Sequence, residues 1–317
     1  MNKKLKSLSI VIPCFNEEEV IFESYTVVKS LLEKWKDKVL SEYEIILVNN
    51  GSTDHTFDEM YRIYQLDENV TILDLRNNFG YQGSITAGLY NASNDMIVTV
   101  DSDLQDDPLK IKEMILKFYD GYDLILGIRE NRDSDSFFKK HTAQSYYKVL
   151  NFLGIKSVYN HGDFRLMSKS LLEDFKRYPE KNRYLRGIIT NLESKYACVY
   201  YKRTERIKGK SKFNISSLLS LAIDGVTSFS AIPIRLISVF GVSVFLLSIL
   251  GVVYIFYEKL INNVDVPGWA FTSILLMLFG GLNSLFIGIV GEYVGKTYLE
   301  TKGRPIFTIR KIYQKRV

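Results

Sequence analysis

Short apolar runs rich in β-branched residues recur along the first part of the chain. Each ends in a polar, Gly- or Asp-containing break and is followed by a stretch whose apolar residues fall at helical spacing. Leu8 to Pro13, Tyr43 to Val48, Val70 to Leu75, Met96 to Val100 and Leu124 to Gly127 read as buried strands. A helix starting at Asn16 to Glu19 and running to about Lys38 carries Val20, Tyr25, Val28, Leu31, Leu32 and Trp35 as its apolar stripe. Further helices are predicted up to about Gln65, from about Gln82 to Ala92, and from roughly Asp107 to Tyr119. This alternation predicts an α/β fold with a mostly parallel sheet and helices on both faces. Right-handed crossovers gather the loops that follow the strands on one edge, where open α/β sheets bind ligands.

The pattern then changes. Phe213 to Ser230 has Ile215, Leu218, Leu219, Ala222, Ile223 and Val226 on one helical stripe, as expected of a helix lying in a membrane interface. Leu236 to Tyr257 and Trp269 to Gly291 carry no charge. At ~1.5 Å per residue each is long enough to cross a ~30 Å hydrocarbon core. The division expected is a 1–212 α/β domain, a 213–231 interfacial region, a 232–295 membrane hairpin and a 296–317 basic tail. The start of the chain, with Pro13 and then Asn-Glu-Glu-Glu, reads as a first strand, not a signal peptide. Lys202 to Lys212 holds six cations against one anion, a surplus equal to the formal net charge of +5 of the 317-residue chain. Lys and Arg here and after the second span place the α/β domain and both termini in the cytoplasm, with membrane lipids as partners of the basic stretch.

Cys14 and Cys198 form no CxxC pair, and His55, His141 and His161 share no ligand spacing, which excludes a zinc site and a disulfide framework. The basic cluster adjoins membrane segments and no recognition fold accompanies it, so nucleic acid is not an expected partner. The chemistry concentrates after the fourth strand. Asp101 and Asp103 follow Val100, and Pro108 bars the strand from continuing. Two carboxylates so close repel unless a cation lies beside them, and a hard divalent ion that also takes phosphate oxygens answers that need.

Five stretches occur in one order: Ser9-Ile-Val-Ile-Pro-Cys-Phe-Asn-Glu-Glu-Glu19, Val48-Asn-Asn-Gly-Ser-Thr-Asp54, Arg76-Asn-Asn-Phe-Gly80, Asp101-Ser-Asp-Leu-Gln-Asp106 and Gly162-Asp-Phe-Arg-Leu166. Together they resemble family-2 glycosyltransferases of the GT-A fold, of the polyprenyl-phosphate type that includes bactoprenol glucosyltransferase and dolichol-phosphate mannose synthase. The resemblance covers nearly the whole chain. It implies that Pro13, Phe15, Glu17, Asn49, Asn50 and Ser52 bind the nucleotide-sugar, with Asp101 near ribose and diphosphate. It implies Asp103 and Gln105 as the site of a Mg²⁺ or Mn²⁺ ion, and Asp101, Asp103, Asp163 and Arg129 as the catalytic set. Acceptor phosphate is expected to meet Arg129, Arg132, Lys139, Lys140, Arg186 and Lys210, while Arg183 braces the fold. The Gln-x-x-Arg-Trp motif of processive synthases is absent, since the only tryptophans are Trp35 and Trp269.

One departure stands out. The family usually has Asp-Asp before Gly-Ser, and this chain has Asn49-Asn50. An Asn oxygen can still accept from the N3–H of uracil, and its nitrogen can also donate. The implied reaction is inverting transfer of one hexose from a UDP-sugar, UDP-glucose before UDP-N-acetylglucosamine, to undecaprenyl phosphate. The rivals are transfer to another lipid such as a glycerolipid, and a membrane-anchored nucleotide-sugar binder without turnover. A lipid phosphate with a second pKa of about 6 is already largely ionised near neutrality, so no strong general base is required. Asp163 is therefore read as positioning the acceptor or shaping the site, with a base role as the alternative. The segment Ile306 to Tyr313 partly alternates and is expected to form a strand on a neighbouring subunit, in a homo-oligomer for which the resemblance suggests a tetramer.

Overall fold

The computed structural model describes residues 4–130, 158, 160–181, 183, 185–202, 232–261 and 268–315. The alternation expected from the sequence is present: β1 (Leu8–Cys14), α1 (Ile21–Trp35), β2 (Tyr43–Asn49), α2 (Thr56–Leu66), β3 (Val70–Leu75), α3 (Gly80–Asn91), β4 (Met96–Thr99), α4 (Lys110–Tyr119) and β5 (Leu124–Arg129). There follow β6 (His161–Ser168), α5 (Lys169–Lys176), α6 (Leu185–Leu192), β7 (Tyr196–Tyr201), α7 (Ile232–Ile261), α8 (Trp269–Thr301) and β8 (Ile309–Tyr313). α1 stops short of Lys38, because Lys36 turns to extended geometry and Asp37 takes a φ of 60°.

The strands form one sheet in the order β7-β5-β6-β4-β1-β2-β3-β8. β4, β1, β2 and β3 run parallel, as do β5 and β7. β6 is inserted between β4 and β5 and runs antiparallel to both, with Thr99 beside Arg165 and Ile128 beside His161. This reversal matters for the chemistry. It brings the N-terminal half of β6 to the sheet edge where β4 and β5 end.

Helices cover both faces. Ile10, Ile12, Ile45 and Val98 pack with α1, α2 and α4, whereas Val11, Ile46, Val48 and Leu126 pack with α3, α5 and α6. Alternate residues of β1 and β2 thus face opposite cores, which is why these strands are apolar nearly throughout. α3 lies close against β1. A Cβ on Gly88 would sit 2.2 Å from Val11 Cγ1, so only glycine permits that approach.

α7 and α8 are long and apolar enough to cross a membrane, and their apolar windows are not buried within the protein. The rings of Phe240 and Phe286 meet edge to face 5.6 Å apart between them. α8 runs on to Thr301, past the hairpin boundary at 295 expected from the sequence. Its last turn is tied to the α/β domain: the Lys181 N–H donates to both carboxylate oxygens of Glu300, at 2.9 and 2.8 Å.

The strand expected near the C-terminus is present as β8, but its partner is corrected. β8 pairs antiparallel with β3 of the same chain, with Asp74 beside Lys311 and Leu73 beside Ile312. Tyr313 joins Phe57, Tyr61 and Tyr64 of α2 in an aromatic cluster with centroids 5.6 to 6.1 Å from its own. An open strand edge on β3 is a template for pairing, and the nearest chain to fill it is this one. The interfacial helix expected at Phe213 to Ser230 lies outside the described residues, as do Arg132, Lys139, Lys140 and Lys210.

Candidate active site

The loop after β4 is where strand geometry gives out. Val100 still bonds through its N–H to the carbonyl of Val11, and Ser24 of α1 then donates from Oγ to the Ser102 carbonyl at 2.7 Å. Asp103 Oδ1 accepts the Gln105 N–H at 3.1 Å, a local turn that short acidic side chains favour. Between those two residues Leu104 has a φ of 53°, a left-handed conformation that an apolar side chain rarely adopts. Such strain persists only where surrounding structure holds it, and it clusters at functional sites.

Asp101 Oδ1 accepts the Tyr81 hydroxyl at 2.5 Å. Loss of hydration and then the Asp106 carboxylate, with smaller pushes from Asp163 and Asp103, raise its pKa to about 7 against the opposing hydrogen bond from Tyr81. Asp106 is buried. Its Oδ1 accepts from the Tyr201 hydroxyl at 2.6 Å and from Arg129 Nη2 at 3.4 Å, while Arg129 Nε donates to Tyr201 Oη at 3.1 Å. Arg129 at the end of β5 is thus partly spent on holding Asp106. Gly162 presses on it, since a Cβ there would meet Arg129 Nη2 at 3.1 Å.

Asp163 is buried on β6 between two arginines. Its Oδ1 accepts from Arg165 Nη2 at 2.5 Å, and its Oδ2 accepts from Arg186 Nη2 at 2.8 Å and Nε at 3.1 Å. Its carbonyl accepts a hydrogen bond from Thr99 Oγ1, which fixes β6 to the end of β4. Burial opposes ionisation, but Arg186 and Arg165 outweigh it and hold the carboxyl well below the ordinary range. Arg186 begins α6 and keeps a third of its side chain exposed, whereas Arg165 is fully enclosed. Arg183 braces, as expected: Nη2 donates to Tyr90 Oη at 2.6 Å and the Tyr178 carbonyl at 2.8 Å, and the guanidinium lies 4.7 Å from the Phe175 ring centroid.

The expected nucleotide residues gather at the ends of β1 and β2. Pro13 is buried in β1, and Phe15 and Glu17 are half-buried in the loop beyond it. The two loops are laced together. Ser52 Oγ accepts the Asn16 N–H at 3.1 Å, Asn16 Oδ1 accepts the Thr53 N–H at 2.8 Å, and Thr56 Oγ1 accepts the Glu17 N–H at 2.7 Å. Gly51, at a φ of 68°, receives the next loop: a Cβ would lie 2.7 Å from the Asn77 carbonyl carbon.

Asn49 and Asn50 are buried, and both ends of each amide are bonded within the protein. Asn49 Nδ2 donates to Asp74 Oδ1 at 2.8 Å and its Oδ1 accepts the Ser52 N–H at 3.1 Å. Asn50 Oδ1 accepts the Phe79 N–H at 2.9 Å, and its Nδ2 donates to Asn78 Oδ1 at 3.0 Å and the Gly80 carbonyl at 3.2 Å. The side chains expected to read a base therefore tie the 49–54 loop to β3 and to the 76–80 loop. The departure from Asp-Asp has a physical reason. An aspartate at 49 would oppose Asp74, and an aspartate at 50 could not donate to Asn78 and Gly80.

For a divalent ion the donor set is carboxylate and amide oxygen. No three His, Cys, Asp or Glu side chains form a ready cage among the described residues. Mg²⁺-like ions commonly take one or two carboxylates and complete their shell with substrate phosphates and water. Asp103, half-buried beside Asp101, and Gln105 fit that partial set. Sequence reasoning missed Tyr81, Arg165, Tyr201 and Asp74, and gave Asp106 no role although it closes the same motif.

The family model described as Glycosyl transferase family 2 matches residues 9–176. The relative named Uncharacterized glycosyltransferase YkoT, from Bacillus subtilis (strain 168), is 41% identical over 313 residues, covering 98% of this chain and 93% of its own. The Prophage bactoprenol glucosyl transferase homolog of Escherichia coli (strain K12) is 35% identical over 306 residues, covering 96% and 99%. Among solved structures, glucosyl-3-phosphoglycerate synthase from Mycobacterium tuberculosis with Mn²⁺, uridine-diphosphate and phosphoglyceric acid is 17% identical. It covers 70% of this chain and 76% of its own, at a TM-score of 0.49.

Proposed function

Because the chain belongs to glycosyl transferase family 2, we propose that it transfers one hexose from a UDP-sugar, with inversion, to a polyprenyl phosphate at the cytoplasmic face of a membrane. UDP-glucose is the first donor. The observation that carries this reading is one sheet edge holding both the acidic Asp101–Gln105 loop and the arginine-clasped Asp163, in a domain bonded to the end of a membrane-length helix. Relatives named for bactoprenol glucosyl transfer, 35% identical over nearly the whole chain, support the glucose and the lipid acceptor.

A Mg²⁺ or Mn²⁺ ion held by Asp103 and Gln105 would neutralise the diphosphate that leaves. The chain's own residues do the rest. Asn16, Asn49, Asn50 and Ser52 fix the two nucleotide loops, between Pro13, Phe15 and Glu17 on one side and the 76–80 loop on the other. Tyr81 holds Asp101 at the edge of the ion site. The acceptor arrives as an anion, so the groups that meet it should be cations. Arg186, aimed by Asp163 and a third exposed, is the first of these, with Arg129, which lies against Gly162, and Arg132, Lys139, Lys140 and Lys210 as further phosphate contacts. Asp163 keeps its charge and orients Arg186. It takes no proton.

Membranes containing the protein, radiolabelled UDP-glucose and extracted lipids test the reading. An acid-labile phosphopolyprenol product supports it. An alkali-labile glycerolipid product, or UDP binding without product across lipid acceptors, overturns it.

A further inference from the structure

The strand that follows the membrane helices ends in the donor half of the site. On β8, Arg310 Nη1 lies 3.4 Å from Asp74 Oδ2, and its Nη2 donates to the Arg76 carbonyl at 3.2 Å. Asp74, on β3, is buried, and its other oxygen accepts from Asn49 Nδ2 at 2.8 Å. Asn49 in turn accepts the Ser52 N–H, and Ser52 accepts the Asn16 N–H, each at 3.1 Å. A continuous polar relay therefore runs from a side chain beyond the membrane hairpin to both loops at the nucleotide edge.

We propose that Arg310 is a positioning residue for the donor nucleotide, acting through Asp74 and Asn49 on the 49–54 loop. This rests on the reading that these loops hold a UDP-sugar. Apart from its bond to the Arg76 carbonyl, Arg310 reaches the 49–54 loop through Asp74, and over half of its side chain is exposed, so packing is a small part of what it does. Its charge is the larger part. Asp74 is an enclosed carboxylate, and Arg310 is its ion-pair partner among the described residues. A buried carboxylate that loses its cation seeks other donors, and that change releases Asn49. The relay also assigns the Asn at 49 a purpose. Facing an ionised Asp74, that position needs a donor on one end and an acceptor on the other.

The test uses the full-length protein in detergent or nanodiscs. Arg310→Ala is expected to weaken UDP binding about tenfold, with KM for polyprenyl phosphate and the far-UV melting midpoint close to wild type. Arg310→Lys should recover most of the loss. Asn49→Asp should weaken binding at least as much, and Asn49→Asp with Asp74→Asn should return it to within about threefold by reversing the hydrogen bond. Amide hydrogen exchange at Ser52 to Asp54 in the ligand-free protein reads the relay without any donor, and Arg310→Ala should speed it. Unchanged exchange overturns the proposal even if UDP binds as expected. A parallel rise in both KM values with a lowered melting midpoint overturns it too, because that marks general loosening. Wild-type protein that fails to bind UDP overturns the donor reading instead, while the exchange result still decides the relay.

Discussion

Arg186 Nη2 lies 2.8 Å from Asp163 Oδ2, and the same carboxylate takes Arg165 on its other oxygen at 2.5 Å. One anion between two guanidiniums is a clamp, and it is badly suited to accept a proton. If Asp163 aims Arg186, Asp163→Asn should lower kcat by about 10- to 100-fold, short of the ~10³ or more expected when a general base is lost. Arg186→Lys should reproduce most of that loss, because an ammonium cannot bridge carboxylate and phosphate in the same plane. The kcat–pH profile of the wild type should show no inflection from Asp163 above pH about 5.

The same clamp predicts a stability trend. The folded-state pKa of Asp163 lies below its unfolded value. Its contribution is therefore in place above the ordinary aspartate pKa of about 3.9 and is lost progressively as pH falls below it. Asp163→Asn should flatten the fall of the melting midpoint below about pH 4 relative to wild type.

On the proposed reading, Asp103 would supply the carboxylate for the ion. Asp103→Ala should reduce sugar transfer by about 10²- to 10³-fold, the loss typical of removing a charge-stabilising contact. Chelation should abolish turnover in the wild type, and added Mn²⁺ or Mg²⁺ should restore it. Undiminished transfer by Asp103→Ala would contradict the metal assignment.

Gly88 tests the packing of the sheet without touching the chemistry. Gly88→Ala sets a methyl into Val11 and should cost about 1–3 kcal/mol, seen as a lower melting midpoint. Gly88→Ala paired with Val11→Ala should recover part of it.

Glu300 links α8 to the segment before α6. Glu300→Ala leaves the Lys181 N–H without its carboxylate, a loss of about 1–3 kcal/mol locally. Faster exchange at Lys181 with unchanged UDP affinity is the expected outcome.

The strands from β1 to β5 were legible because their apolar runs are nearly unbroken, as in Ile10-Val-Ile and Ile45-Ile-Leu-Val. The loops after them were legible as motifs. β6 was not read as a strand, because Asp163 and Arg165 look like surface charges when taken one at a time. Inside the protein they neutralise each other, with Arg186 supplied by a helix that follows. The paired asparagines were misleading for a related cause. Their chemistry suits a base, but Asp74, the Asn78 side chain and the 79–80 backbone, distant along the chain, already use it. The partner of β8 was out of reach for periodicity, which states that a strand exists but not which edge receives it.

β3 is made early and waits for β8, which is synthesised only after both apolar helices. A nascent chain therefore carries an open β3 edge, and an Asp74 without Arg310, until both membrane-length helices have been made. The link from Arg310 through Asp74 to Asn49 is in this way completed last, so a chain cut short before its two membrane-length helices would carry the proposed donor loops without their final brace.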